Sequence, residues 1–227
     1  TSQRFIDRVG ISIEEAHFVY LEQAKGQTSF STLLNCMIKS YFPNGVLKKC
    51  NRTTKTDSIA AILFTSGSEK RPKAVPLTHN NLISNHKSGT PFLKLTSQDT
   101  VLSFLPPFHS FGLSVTGILP ILLGMRIVFH PDPTDASTLA SKLKAYGVTL
   151  LIGTPTFLTH ILDKASNETL DKLRLIISGA EKCPATVFEL AQNVAPNAKL
   201  LEGYGITECS PVVAVNPPNF QKRDSVG

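Results

Sequence analysis

The chain has 227 residues, 41% of them hydrophobic and 18% charged, which is enough apolar material for a folded core and too little charge for a disordered or coiled-coil chain. Its 15 Pro and 14 Gly follow no period, which excludes collagen-like sequence. The net charge of +6 favours anionic partners, but no run of five basic residues and no Trp accompany it, so nucleic acid is not an expected partner.

Residues 1–57 read as a less regular lead-in and linker. The N-terminus is charged from Arg4 onward, so no secretion leader is expected. Ser12 to Glu15 has the form of a capping box, whereas Phe18 to Leu21 reads as a strand, and the two readings compete. Phe30 to Tyr41 has the spacing of an amphipathic helix, and Asn51 to Asp57 is polar and unpatterned, as a surface linker is.

From residue 58 to 227 short apolar runs alternate with helix-like segments. That alternation predicts an α/β fold, a mostly parallel sheet flanked by helices. Ile59 to Phe64 is expected as the first core strand, Thr78 as the N-cap of a helix to about Lys87, and Val101 to Leu105 as the second strand. The most apolar stretch, Phe111 to Phe129, is interrupted by Pro120 and Arg126 and reads as buried core rather than a membrane span. Ile127 to Phe129 follows as a strand, then a helix from Ala136 to Tyr146 stopped at Gly147, and a strand from Val148 to Ile152. Thr154 with Pro155 opens another helix; strands at Leu173 to Ile177 and Lys199 to Leu201 enclose a helix at Ala185 to Asn193. Cys36, Cys50, Cys183 and Cys209 lie far apart without C-x-x-C spacing, which suggests neither zinc nor a disulfide framework and makes a reducing cytoplasm the expected compartment.

Four stretches have the residue types of a site. Thr65-Ser66-Gly67-Ser68-Glu69-Lys70-Arg71-Pro72-Lys73 combines hydroxyls, a glycine and cations, and can wrap phosphate oxygens; it reads equally as a solvated hairpin loop. It lacks Walker A spacing, and no G-x-S-x-G nucleophile elbow occurs in the chain. Leu105 to Gly112, Ser178 to Glu181 and Glu202 to Glu208 each follow an expected strand, where ligands of open α/β sheets collect. Singly, His109 between two phenylalanines could be packing and Gly179-Ala180-Glu181 a turn. In Gly203-Tyr204-Gly205-Ile206-Thr207-Glu208, two glycines around an aromatic permit close approach of a flat ring, and Thr-Glu offers oxygen ligands suited to Mg²⁺.

In this order and spacing the stretches resemble the signature motifs of the adenylate-forming superfamily of acyl-CoA synthetases, luciferases and nonribosomal-peptide adenylation domains. Within it, Phe64 to Glu69, Leu105 to Leu113 and Leu201 to Val213 look most like the acyl-acyl carrier protein synthetases of lysophospholipid reacylation. The resemblance implies ATP-dependent activation of a fatty acid as an acyl-adenylate, then transfer to the phosphopantetheine thiol of acyl carrier protein, with ATP and Mg²⁺ required. It places Thr65, Ser66, Gly67, Ser68 and Lys73 on the β- and γ-phosphates, Glu208 on Mg²⁺, and Thr207 near the α-phosphate. Gly179, Ala180 and Glu181 border the adenine, with Tyr204 between Gly203 and Gly205 packed on its face. His109 lies beside the acyl carboxylate, with Phe108 and Phe111 walling the acyl pocket. Lys73, His109, Thr207 and Glu208 are thereby the catalytic candidates. The implied setting is the cytoplasm, at the inner face of the cytoplasmic membrane.

Two positions depart from the family pattern, Lys70 and Ala74, where glycine is usual; a positive φ at Lys70 would cost on the order of 1 kcal/mol. Family members continue past a stretch like Asp224-Ser225-Val226-Gly227 into a ribose-binding aspartate and a small C-terminal domain with a catalytic lysine. The chain is therefore expected to be an internal part of the large N-terminal domain, inactive alone. An acyl-CoA ligase shares all four motifs, and a noncatalytic binding module would keep the fold.

Overall fold

The computed structural model of the chain describes residues 3, 6, 7, 10, 20, 22, 23, 29–41, 55–66, 71–165, 170–222 and 225–227. The chain divides into two units, Thr1–Lys55 and Thr56–Gly227. The expected capping box at Ser12 to Glu15, the strand at Phe18 to Leu21 apart from Tyr20, and Cys50 lie outside the described residues. In the first unit, helix α1 (Phe30–Tyr41) carries apolar residues at 30, 33, 34, 37, 38 and 41, three or four apart and therefore on one face; all of them are exposed.

The second unit is built on a six-stranded sheet. Its strands are β3 (Thr100–Ser103), β4 (Arg126–Phe129), β5 (Leu150–Gly153), β6 (Leu175–Ser178), β7 (Lys199–Gly205) and β8 (Val212–Val215), after β1 (Ile59–Ser66) and β2 (Pro72–Thr78), which lie outside it. The order is β4-β3-β5-β6-β7-β8, with β3 to β7 parallel and β8 antiparallel on β7. The central strands β3, β5 and β6 are buried on both faces along their whole length. Leu102, Leu151, Ile176 and Leu200 point to one face, against α4 (Ala136–Ala145), α5 (Pro155–Lys164) and α6 (Ala185–Val194). The alternate residues Val101, Leu150, Ile152, Leu175, Ile177 and Leu201 point to the other. There they meet Leu93 of α2 (His79–Leu93), Val115 of a π-helical segment (Phe111–Ile118) and Leu119 of α3 (Leu119–Leu123). After β3 the chain turns to this second face and outward to β4, whereas after β5 it turns to the first face and on to β6. Neighbouring strands β3 and β5 thus send their loops apart, which opens a crevice at their carboxyl ends.

The structure corrects two expectations. Ile59 to Phe64 is no strand of the parallel sheet: β1 pairs antiparallel with β2, Thr65 opposite Lys73. Only one face of this hairpin is covered, by Leu63, Val75 and Leu77 against Leu82 of α2, while Ile59, Ile62 and Phe64 are exposed. Helix α2 starts at the Thr78 cap, whose hydroxyl and amide exchange hydrogen bonds with Asn81, but it runs past Gly89 and Pro91 to Leu93. Pro91 falls in the last turn, and Leu93 beyond it is buried. Phe111 to Leu123 is helical, and Pro120 falls where the π-helical segment passes into α3. Among the described residues no helix is long and apolar enough to cross a membrane.

Candidate functional site

Three loops meet at the carboxyl end of the sheet. The loop after β3 carries His109 and Ser110, that after β6 carries Gly179 to Glu181, and β7 runs on through Gly203-Tyr204-Gly205 into a 3₁₀ turn at Thr207–Cys209. The β1–β2 hairpin reaches the same place from the side, because Lys73 Nζ lies 3.3 Å from Glu208 Oε1. Ser110, buried, has its Oγ 3.1 Å from Thr207 Oγ1, which ties the histidine loop to the Thr-Glu turn.

An apolar pocket of about 100 Å³ lies between α2, the π-helical segment and strands β5 to β8. His109, Gly179, Ala180, Gly203, Tyr204 and Gly205 line it together with Phe111. Its exposed members His109, Ala180 and Tyr204 form a rim, and buried Leu93, Val115, Leu119, Ile152 and Ile177 the floor. Gly179 is small for a reason visible here: a Cβ would lie 3.1 Å from Phe111 Cζ, so a side chain would push the ring from the wall.

Other expected residues fall elsewhere. Phe108 is 77% exposed and takes no part in the pocket wall, since its loop turns it outward. Glu181 is also outside the lining and accepts a hydrogen bond from Thr156 Oγ1 at 3.3 Å. Thr65 and Ser66 end β1, and Gly67, Ser68 and Lys70 lie outside the described residues. Gly205 is required by the chain itself rather than by a flat ring: a Cβ there would collide with the Pro211 carbonyl oxygen, to which the Ile206 amide donates at 2.9 Å.

The electrostatics suit anion handling. The Glu208 carboxyl is shifted below its ordinary value, first by a backbone amide at its own residue and then by Lys73, which favours the ionised form. His109 Nδ1 accepts the Phe111 amide at 3.2 Å; the neutral ring therefore carries its proton on Nε2, as a donor. Among the described residues no group of three or more His, Cys, Asp or Glu could cage a metal. One ionised carboxylate beside a hydroxyl fits Mg²⁺, which keeps most of its shell as water and substrate phosphate.

Sequence reading missed Asn85, His86 and Ser114. The signal for His86 is its place four residues after Leu82, on the buried face of α2. His86 Nε2 lies 2.9 Å from Ser114 Oγ. Burial pushes the imidazole pKa down to about 4 from 6.5, and the Ser114 hydrogen bond opposes this. Below pH 6.5 the unfolded chain takes up a proton that the folded chain refuses until about pH 4, so stability falls across that window. The expected loss is on the order of 3 kcal/mol at 1.36 kcal/mol per unit. Urea unfolding of His86→Gln should lack this part of the slope between pH 7 and pH 4.5. Equal slopes in both proteins would remove the assignment.

A family model described as AMP-binding enzyme matches residues 11–227. The medium-chain fatty-acid–CoA ligase of Escherichia coli K12 is 35% identical over 166 residues, covering 72% of this chain and 29% of that protein. A long-chain fatty-acid–CoA ligase of Yersinia pestis is 32% identical over 222 residues, covering 87% of this chain and 38% of that one. The crystal structure of ATP-bound MatB from Rhodopseudomonas palustris superposes with a TM-score of 0.63 at 28% identity, over 75% of this chain and 33% of that one. The chain thus spans about a third of the length of the relatives it matches.

Proposed function

The chain belongs to the AMP-binding enzyme family, and from that premise we propose that it forms the nucleotide- and acyl-binding core of an ATP-dependent fatty-acid–thiol ligase. The observation carrying this reading is that His109 and Gly203 to Gly205 line one apolar pocket while the adjoining Thr207 and Glu208 contact Ser110 and, on the β1–β2 hairpin, Lys73. The first step joins a carboxylate oxygen to the α-phosphorus of ATP and breaks the bond to pyrophosphate. In the second, a thiol attacks the acyl carbonyl, its proton is lost, and AMP leaves.

Both reactants of the first step are anions, so binding must offset their repulsion before the bond forms. Thr65, Ser66, Gly67, Ser68 and Lys73 take the β- and γ-phosphates. Tyr204 lies on the adenine, with Gly179 and Ala180 at its edge, and Thr207 donates to the α-phosphate. His109 donates from Nε2 to the carboxylate oxygen, and the floor of the pocket excludes water around the chain. A Mg²⁺ ion held by Glu208 would add positive charge at the phosphates.

The relatives' names favour CoA as the acceptor. A second reading, supported by the likeness of Leu105 to Leu113 and Leu201 to Val213, takes the acyl carrier protein as acceptor, as in the synthetase half of the bifunctional 2-acylglycerophosphoethanolamine acyltransferase. It carries with it lysophospholipid reacylation at the cytoplasmic membrane. The test uses a protein of the relatives' length that contains this chain. Medium- and long-chain fatty acids should support Mg²⁺-dependent ATP–pyrophosphate exchange, and CoA offered against holo-carrier protein should take the acyl group. Absence of exchange with every fatty acid sinks the ligase reading; preference for carrier protein selects the second.

A further inference from the structure

Helix α2 carries an amide that the reaction scheme leaves unused, and it grips the turn beyond Glu208. Asn85 Nδ2 donates to the carbonyl oxygens of Cys209 at 3.1 Å and Val212 at 2.7 Å, and its Oδ1 accepts the Val212 amide at 3.2 Å. One residue on, the His86 ring holds Ser114, whose hydroxyl donates to the Ser210 carbonyl at 3.1 Å. Carbonyls 209, 210 and 212 are thus all taken by side chains from outside the turn.

The turn needs them. Ser210 sits in the left-handed region at φ 75°, and the β7–β8 ladder shifts register between Tyr204 and Gly205, so regular pairing cannot satisfy these groups. Ser210 is buried, and its carbonyl left without a partner would cost more than a typical hydrogen bond contributes. Thr207 and Glu208 therefore stand between two anchors, Ser110 on one side and Asn85 on the other. Helix α2 also begins at Thr78, the last residue of β2, so a single rigid element joins the hairpin bearing Lys73 to the turn bearing Glu208.

The geometry points to Asn85 as a positioning residue: it locks the Cys209–Val212 turn so that Glu208 faces Lys73 of the hairpin, where its carboxylate would hold a metal ion. The metal part of this inference rests on the ligase reading above; the lock itself does not. Only an amide suits the place, because it must donate twice and accept once. A carboxylate of the same size would set its oxygens against two carbonyls.

The experiment compares Asn85→Asp and Asn85→Ala with wild type, and Ser84→Ala as a control, whose hydroxyl bonds only within α2. In the protein of the relatives' length, hydrogen exchange of peptides covering 206–215 should accelerate about tenfold or more in both Asn85 variants, with the amides of α2 unchanged. The Mg²⁺ concentration for half-maximal pyrophosphate exchange should rise about tenfold, as losses of groups that orient a metal ligand do, while the fatty-acid KM stays put. Ser84→Ala should move neither. Unchanged hydrogen exchange overturns the lock, and a loss of rate without a shift in the Mg²⁺ midpoint overturns the positioning role. If wild type itself exchanges no pyrophosphate, the ligase reading falls, and hydrogen exchange still decides whether Asn85 holds the turn.

Discussion

Glu208→Gln is expected to slow acyl-adenylate formation about 100-fold or more, the scale of losing one preorganised charge in a site where charge develops. The substitution keeps the volume and removes the anion. Glu208 lies on an exposed turn, and its ion pair with Lys73 joins side chains 39% and 61% exposed, so the pair adds little to stability. Thermal unfolding of the variant should therefore match wild type within about 2 °C. Its loss should show in ATP–pyrophosphate exchange at matched Mg²⁺ and persist at saturating fatty acid. Lys73→Ala removes a mobile cation from the same pair and should cost less, about tenfold, because ATP-bound metal can replace part of its charge. Full exchange by Glu208→Gln would end the metal-ligand assignment. A large fall in its unfolding temperature would instead mark the carboxylate as a structural group.

Burial on both faces made the strands legible. Val148 to Ile152 and Leu173 to Ile177 are apolar apart from Thr149 and Arg174, which bond Asp99 just before the strands begin, and they fall on β5 and β6 to within two residues because a doubly covered parallel strand has no polar face to blur the pattern. The motif positions were legible for a related reason, since they begin where such runs end. The hairpin was legible at its loop, since residues 65–73 read as a hairpin loop, but not in its second strand. Pro72 and Pro76 make β2 read as a loop, yet β2 has a single partner and so tolerates residues that cannot donate. Strand β8 is short and half-covered and runs against the others, and nothing in Val212 to Val215 states that direction. Asn85 could not be read at all. Its partners lie 124 and 127 residues away, and a polar side chain on a helix looks the same in sequence whether it faces water or a carbonyl.

The glycine of the His109 stretch makes the second large prediction. Gly112 opens the π-helical segment, and the Leu105 to Ser110 loop folds back over it. A Cβ at this position would collide with the Pro106 carbonyl oxygen and stand 2.8 Å from its carbon and 2.9 Å from the Leu105 carbonyl oxygen. Every one of these atoms is backbone, so no rotamer change relieves the overlap. The same Pro106 carbonyl accepts the His109 amide at 3.1 Å, and the Gly112 carbonyl accepts Thr116 Oγ1 at 3.0 Å, which fixes both sides of the collision. Gly112→Ala must then move the loop that aims His109 and holds Ser110 on Thr207. The expected cost is about 2–4 kcal/mol of stability, at the upper end for overpacking a close contact. The surviving folded protein should show a raised fatty-acid KM, because the carboxylate donor has shifted from the pocket rim. Gly117→Ala supplies the comparison: its Cβ would meet only the Gly112 carbonyl oxygen, at 3.4 Å, and should leave unfolding and KM near wild type. Matching melting curves for Gly112→Ala and wild type would mean that the loop does not close over the helix as found, and the link from glycine to histidine would have to be abandoned.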